Sequence, residues 1–345
     1  MRCAASTTEP GLIVLSPLLR GRLSELPSVD AAAVDAVHER AENLLRPSGA
    51  LAWLDEIAAW VAGWQRTPTP AVERPAALIF AADHGVAAAT KVSAYPTGIT
   101  EALFGAYQEG RSTIAAFARV AGATVSAVDV GIGRPTGDIR HEPALTPERF
   151  DEIVEIAFDA VDGLDTDLLV LGEIGIGNTT PSAAISASLA GGETAAWVGR
   201  GTGVDDEGLA RKRAAVQESV RRIAGVTDPI EILREVGGSE LVAVAAATVA
   251  ARHRSIPVVL DGYVVTSAVL PLVMVNPRAL DHCTVGHCST EPGHRKLLER
   301  LGKRPLLDLD MRLGEGSGAM AAVPLITMAC AGITAVPTYD EWFGR

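Results

Sequence analysis

The spacing of apolar positions changes near residue 75. Before it, Val34, Val37, Ala41 and Leu44 recur at steps of three to four, as do Leu54, Ile57, Trp60 and Val61. That spacing gathers side chains on one face, and it predicts amphipathic helices over 30–45 and 51–64. Residues 65–75 (QRTPTPAVERP) are polar and proline-rich and read as a connector.

Beyond the connector, short unbroken apolar runs alternate with longer segments of helical period. Strands are predicted at 76–81, 123–130, 167–171, 195–198, 256–260 and 283–286. Helices are predicted at 99–120, 146–161, 180–189, 205–223, 239–252 and 291–301. Such alternation argues an α/β fold built on a doubly wound, mostly parallel sheet. Strands that are apolar throughout fit a sheet covered on both faces. Residues 316–339 carry no charge and are long enough to span a membrane. Ser317, Thr327, Thr334, Pro324 and Pro337 interrupt them, so a buried helix pair is expected instead.

Composition narrows the core and the partners. Hydrophobic residues make up 48% of the 345 residues but aromatics only 4%, so the core must be largely Ala, Val, Leu and Ile. The formal net charge is −12 and no basic block occurs, which removes the electrostatic footprint of a nucleic-acid binder. An acidic chain still binds an anion where helix N-termini and a few cations converge. Cys3, Cys283, Cys288 and Cys330 match neither a disulfide framework nor a zinc site. They read as bystander thiols in a reducing compartment. Residues 1–10 lack the apolar run of a signal peptide. The expectation is a cytoplasmic protein.

Most glycine-rich and polar motifs follow predicted strands, where open α/β sheets form their ligand crevice. Asp83-His84-Gly85 follows the first in the chain; His84 is a candidate acid or base, or a hydrogen-bonded structural residue. Residues 172–180 (GEIGIGNTT) put Glu173 among three glycines, with Asn178, Thr179 and Thr180 positioned to cap the next helix. Residues 199–203 (GRGTG) precede Asp205, Asp206 and Glu207, which suit a helix N-terminus. Arg200 and one of Arg211, Lys212 and Arg213 are candidate phosphate ligands. Neither a Walker loop nor a dinucleotide fingerprint is present.

Asp261-Gly262 closes a further strand. Residues 287–295 (HCSTEPGHR) offer Ser289 and Thr290 as helix caps and Pro292 for the first turn. His287, Glu291 and His294 lack the spacing of a metalloprotease site. Residues 312–318 (RLGEGSG) hold Glu315 between two glycines. Desolvation there would raise its carboxyl towards the range of a useful general base.

Taken in order, seven segments resemble the nicotinate-nucleotide–dimethylbenzimidazole phosphoribosyltransferases of cobalamin biosynthesis: AADHG (81–85), VSAYP (92–96), GEIGIGNTTPSAA (172–184), VGRGTGVDDEGLARKR (198–213), LDGYVVTSA (260–268), STEPGHR (289–295) and LDLDMRLGEGSGA (307–319). The resemblance implies a transferase that moves phosphoribose from nicotinate mononucleotide to 5,6-dimethylbenzimidazole, giving α-ribazole 5′-phosphate and nicotinate. It implies a large Rossmann-like domain over 75–310 and a small helical domain built from 1–74 and 311–345. It also implies a homodimer, small-molecule substrates, no cofactor and no metal, with neither nucleic acid nor membrane as partner. Residue by residue, Glu315 matches the general base and Glu173 a second carboxylate. Gly175, Gly201, Lys212, Ser289 and Arg312 match positions around the nucleotide. Tyr95 and Leu313 are candidates for the wall of the acceptor pocket. Cys288 stands where many members carry Arg, and Ile174 where Met is commoner. Other acceptors (another azole, a purine or a phenol) and a non-catalytic nucleotide- or azole-binding protein remain open on the sequence.

Overall fold

A computed structural model of the chain describes residues 15–344. Cys3, the reading of residues 1–10 and the last tail residue, Arg345, lie outside them.

Three helices, α1 (Pro17–Ser24), α2 (Ala31–Asn43) and α3 (Trp53–Gln65), lead into strand β1 (Pro75–Ala82). Helices α4 (Gly85–Thr90), α5 (Ile99–Gln108) and α6 (Thr113–Ala121) come before β2 (Thr124–Gly131), and α7 (Pro147–Asp162) before β3 (Leu168–Ile174). Four helices then follow: α8 (Thr179–Ala190), α9 (Asp206–Arg222), α10 (Pro229–Val236) and α11 (Ser239–His253). The chain continues through β4 (Val258–Leu260), α12 (Tyr263–Val275), β5 (Cys283–His287), α13 (Pro292–Leu301) and β6 (Pro305–Leu307). It closes with α14 (Ser317–Thr334) and α15 (Tyr339–Phe343).

The six strands form one sheet in the order β2-β1-β3-β4-β5-β6, every pair parallel. Strand order reverses between β1 and β3, so the chain winds outward in both directions from that pair. Alternate residues feed two cores. Leu78, Phe80, Leu169, Leu171, Val258 and Leu260 face one core with α7, α8, α11 and α12. Ala77, Ile79, Leu168, Val170 and Val259 face the other, with α2, α3, α6 and α14. This two-sided burial is why the strands read as unbroken apolar runs.

Helix α14 passes the length and composition test for a membrane span. Ala319, Met320, Val323, Ile326, Ala329, Cys330 and Ile333 on it are buried in the second core. The expected helix pair is one 18-residue helix, with Pro324 inside it.

Four further expectations need correction. The helix predicted over 99–120 is two, because Gly110 takes a left-handed φ of 67° and Ser112 caps α6 by accepting from the Ala115 N–H at 3.3 Å. The run 195–198 is not a strand; Thr194–Trp197 is a 3-10 turn pairing with no strand. A four-residue apolar run does not separate the two by period. Strand β3 runs on to Ile174, so Gly172 and Glu173 lie on the strand rather than in a loop. Helix α13 is capped at Glu291, not at Ser289 or Thr290; Pro292 occupies its first turn as expected.

Candidate active site

The ends of β3, β4, β5 and β6 open into one cleft. Of the residues singled out in the sequence, Glu173, Gly175, Asn178, Thr179, Gly201, Lys212, Ser289, Arg312, Leu313 and Glu315 line it. Tyr95, Asp83 and His84 do not. Tyr95 is 52% exposed on the neighbouring loop, whose Ser93 hydroxyl lies 3.3 Å from that of Thr202. Asp83 accepts from the Gly133 N–H. His84 is buried behind the cleft wall, its Nε2 2.6 Å from Glu240 Oε1. A Cβ on Gly175 would come within 2.8 Å of both atoms, so the pair supports the back of that turn.

One wall is cationic. Of the three adjacent cations on α9, Lys212 turns inward and is buried, while Arg211 and Arg213 are exposed. Its Nζ donates to Thr179 Oγ1 at 2.8 Å, at the start of α8. Burial lowers its ammonium to about 8, opposed by the charge of Glu291. Asn178 does not cap α8; its amide donates to the Glu173 carboxylate. The first N–H groups of α8 are therefore left without a side-chain cap beside Lys212, an anion-binding arrangement. Gly201 adds close backbone approach: its φ is 54° and a Cβ there would lie 3.0 Å from Lys212 Nζ. Arg200 bonds Asp206 at 2.5 Å instead of lining the cleft.

Glu315 and Glu173 bring carboxylates into the same lining. Glu315 is half-buried, with a φ of 65° between Gly314 (82°) and Gly316 (78°). Such a backbone costs a non-glycine residue ~1–3 kcal/mol and persists only where its surroundings fix it. Burial raises the Glu315 carboxyl, the Tyr107 hydroxyl lowers it, and the charge of Asp261 raises it further. Tyr107, on α5, stands beside Glu315 without closing a hydrogen bond of good geometry. Glu173 is buried more deeply. Burial, followed by the charges of Glu240 and Asp261, pushes its carboxyl well above the usual range.

Several contributors were given no role in the site by the sequence reading. Glu291 Oε1 accepts from the Gly201 N–H at 2.8 Å and ties the glycine loop to α13. Tyr263 and His287 also line the cleft. Asp261, at the end of β4, is fully buried. Burial alone would raise its carboxyl, but His287 and the N–H groups of Ala319 and Gly316 hold it below the usual range. Its place at a strand end before a glycine was the available signal. Tyr107 had none, being one aromatic in an apolar helix. Cys288 sits in the core rather than in the cleft. With Cys283 and Cys330 it is one of three buried cysteines, none of them in a disulfide, among the described residues.

Comparison with known proteins agrees in one direction. A family model, DBI_PRT, described as phosphoribosyltransferase, matches residues 26–342. The chain is 46% identical over 312 residues to a nicotinate-nucleotide–dimethylbenzimidazole phosphoribosyltransferase of Mesorhizobium japonicum, covering 90% of this chain and 92% of that one. It is 45% identical over 324 residues to the protein of that name from Methylocella silvestris, covering 94% of each. Among solved structures, it resembles CobT from Thermus thermophilus with a TM-score of 0.86 and 39% identity, covering 90% of this chain and 98% of that one.

Proposed function

This chain belongs to the DBI_PRT phosphoribosyltransferase family, and from that premise we propose that it transfers phosphoribose from nicotinate mononucleotide to 5,6-dimethylbenzimidazole. The products are α-ribazole 5′-phosphate and nicotinate. The reading rests on one observation: buried Lys212, bonded to Thr179 at the start of α8, and the desolvated carboxyl of Glu315 line a single cleft.

The chemistry suits that pairing. Nicotinate bound to ribose through its ring nitrogen is a pyridinium, so it leaves as a neutral ring nitrogen when the C1′–N bond breaks. The benzimidazole nitrogen forms the new C1′–N bond from the opposite face, which inverts the β-nucleotide to the α-product. Its ring becomes cationic unless the second N–H is lost. Glu315 takes that proton as the bond forms, and general base catalysis of this kind contributes ~10²–10⁴-fold. Lys212, Thr179 and the start of α8 hold the 5′-phosphate, with Gly175, Gly201, Ser289 and Arg312 around the nucleotide. Leu313 walls the acceptor. Alignment of the two substrates supplies much of the remaining acceleration. The two substrates account for every atom transferred, so the balance calls for no cofactor.

The same proposal takes residues 75–310 as the catalytic unit and the flanking chain ends as a small helical one. It takes the protein as a cytoplasmic homodimer acting on small molecules.

The test is metal-free incubation of purified protein with both substrates, with chromatography for nicotinate and α-ribazole phosphate. Both products should appear, and Glu315→Gln should abolish them while the variant remains folded and binds the nucleotide. Nucleotide binding without product would keep the donor site and reject the acceptor. No binding at all would sink the proposal.

A further inference from the structure

Helix α14 begins at the cleft with an awkward start. Its cap position is Gly316, which has no side chain to satisfy the first N–H groups. The residue before it, Glu315, is held at positive φ between two glycines that are also at positive φ. Two bonds internal to the turn are present: Ser317 Oγ donates to the Gly314 carbonyl at 2.6 Å and the Ser317 N–H donates to it at 3.0 Å.

The missing cap comes from another strand. Asp261, at the end of β4, accepts from the Gly316 N–H at 3.1 Å and from the Ala319 N–H at 2.8 Å, one bond to each carboxylate oxygen. The carboxylate is fully buried, and His287 Nε2 lies 3.5 Å from its Oδ1. These bonds bridge 55 and 58 residues of sequence. They attach the Glu315 turn to the sheet.

We infer that Asp261 is a positioning residue for Glu315: its carboxylate caps α14 from outside the helix and fixes the backbone that aims Glu315 into the cleft. The inference rests on the reading of Glu315 as the base. It assigns Asp261 no contact with substrate. The charged or titratable groups facing the pair are His287 from β5, His294 from α13, Glu173 from β3 and Tyr107 from α5. Within the pair, the charge of Asp261 raises the Glu315 carboxyl, and Tyr107 lowers it.

Asp261→Asn retains the shape, keeps one acceptor and removes the charge. Its kcat should fall about 10- to 100-fold, the scale of a misplaced catalytic group. The KM for nicotinate mononucleotide should change little, because Lys212 and Thr179 stand on other elements. With the charge gone, Glu315 loses its proton more readily, so the acid limb of the kcat profile should move to lower pH. A capping role alone would not move that limb. Wild-type kcat and an unmoved limb, with Glu315→Gln inactive, would overturn the inference and leave the base reading intact. An active Glu315→Gln would remove both. Should Asp261→Asn fail to fold, hydrogen exchange on the wild-type protein decides. Protected Gly316 and Ala319 amides support the cap, and exchange at the rate of free helix-start amides refutes it.

Discussion

Gly172 on β3 and Glu315 meet backbone to backbone: a Cβ at Gly172 would stand 2.7 Å from the Glu315 carbonyl oxygen. The turn that carries the carboxylate therefore lies directly on the strand that carries Glu173. A methyl group has no flexible neighbour to displace there, so Gly172→Ala should lift the turn. The expected outcome is a folded protein whose kcat falls by ~10²-fold, the cost of about 1 Å of misplacement. Nucleotide affinity should stay close to that of the parent. Steady-state kinetics with circular dichroism would check it, and an unchanged kcat would show that the turn tolerates the shift.

Glu173 is costly to the fold, and the direction can be worked out. Its carboxyl is raised in the native state by burial, then by Glu240 and Asp261. Below the ordinary carboxylate range, the group is neutral in folded and unfolded chains alike. As pH rises, the unfolded chain releases a proton that the native state still holds, so this group's contribution to stability is lost through the native pKa. Glu173→Gln imitates the neutral form and can still accept from Asn178. Its melting temperature should exceed the parent's by about 2–4 °C at neutral pH, equivalent to ~1 kcal/mol. The gap should close towards pH 4 in a thermal scan. A gap independent of pH would mean that the carboxylate is not the source.

A second buried charge does the reverse and supports the fold. Arg252 is 1% exposed, lies 4.1 Å over the Trp64 ring and donates to the Pro27 carbonyl at 2.7 Å. It joins α11 to α3 and to the segment between α1 and α2. His282 packs against the same tryptophan and is lowered to about 3, by burial and then by Arg252. Arg252→Met should cost ~2–4 kcal/mol, because it leaves buried acceptors unpaired. The apparent melting temperature should drop by roughly 5 °C or more. Activity per folded molecule should be unchanged, since Arg252 does not line the cleft.

Where the sequence was legible, one residue carried the signal locally. Unbroken apolar runs located β1, β2, β4 and β5, and helical period located α2, α3, α7, α8, α9 and α11, within a few residues. The glycine-flanked carboxylates and Lys212 stood out by their company. What stayed hidden depends on pairs distant in sequence. Asp261 makes its bonds more than fifty residues away, and Tyr107 meets Glu315 only after the chain has folded. Asn178 looked like a cap because the residue type favours capping, yet a buried carboxylate nearby claimed its amide. Strand β6, three residues long at the sheet edge, gave too short a pattern to read.

Lys212 links pH to substrate capture. Burial brings its ammonium down to about 8, with Glu291 opposing. The free protein therefore offers a full positive charge to a phosphate only below that pH. The kcat/KM profile reports the free enzyme, so with nicotinate mononucleotide as the varied substrate it should show an alkaline limb near pH 8. Lys212→Met should abolish that limb and raise KM roughly 10- to 100-fold, since a charge-assisted bond is worth ~1.5–3 kcal/mol. The same variant should be more stable than the parent without substrate. A lysine whose native pKa lies below its ordinary value disfavours folding at neutral pH, and that penalty fades between about 8 and the usual lysine range. Higher melting temperature with weaker nucleotide capture would identify a charge kept for its ligand at the expense of the fold. A variant that loses stability and keeps its KM would instead make Lys212 a tie between α9 and α8.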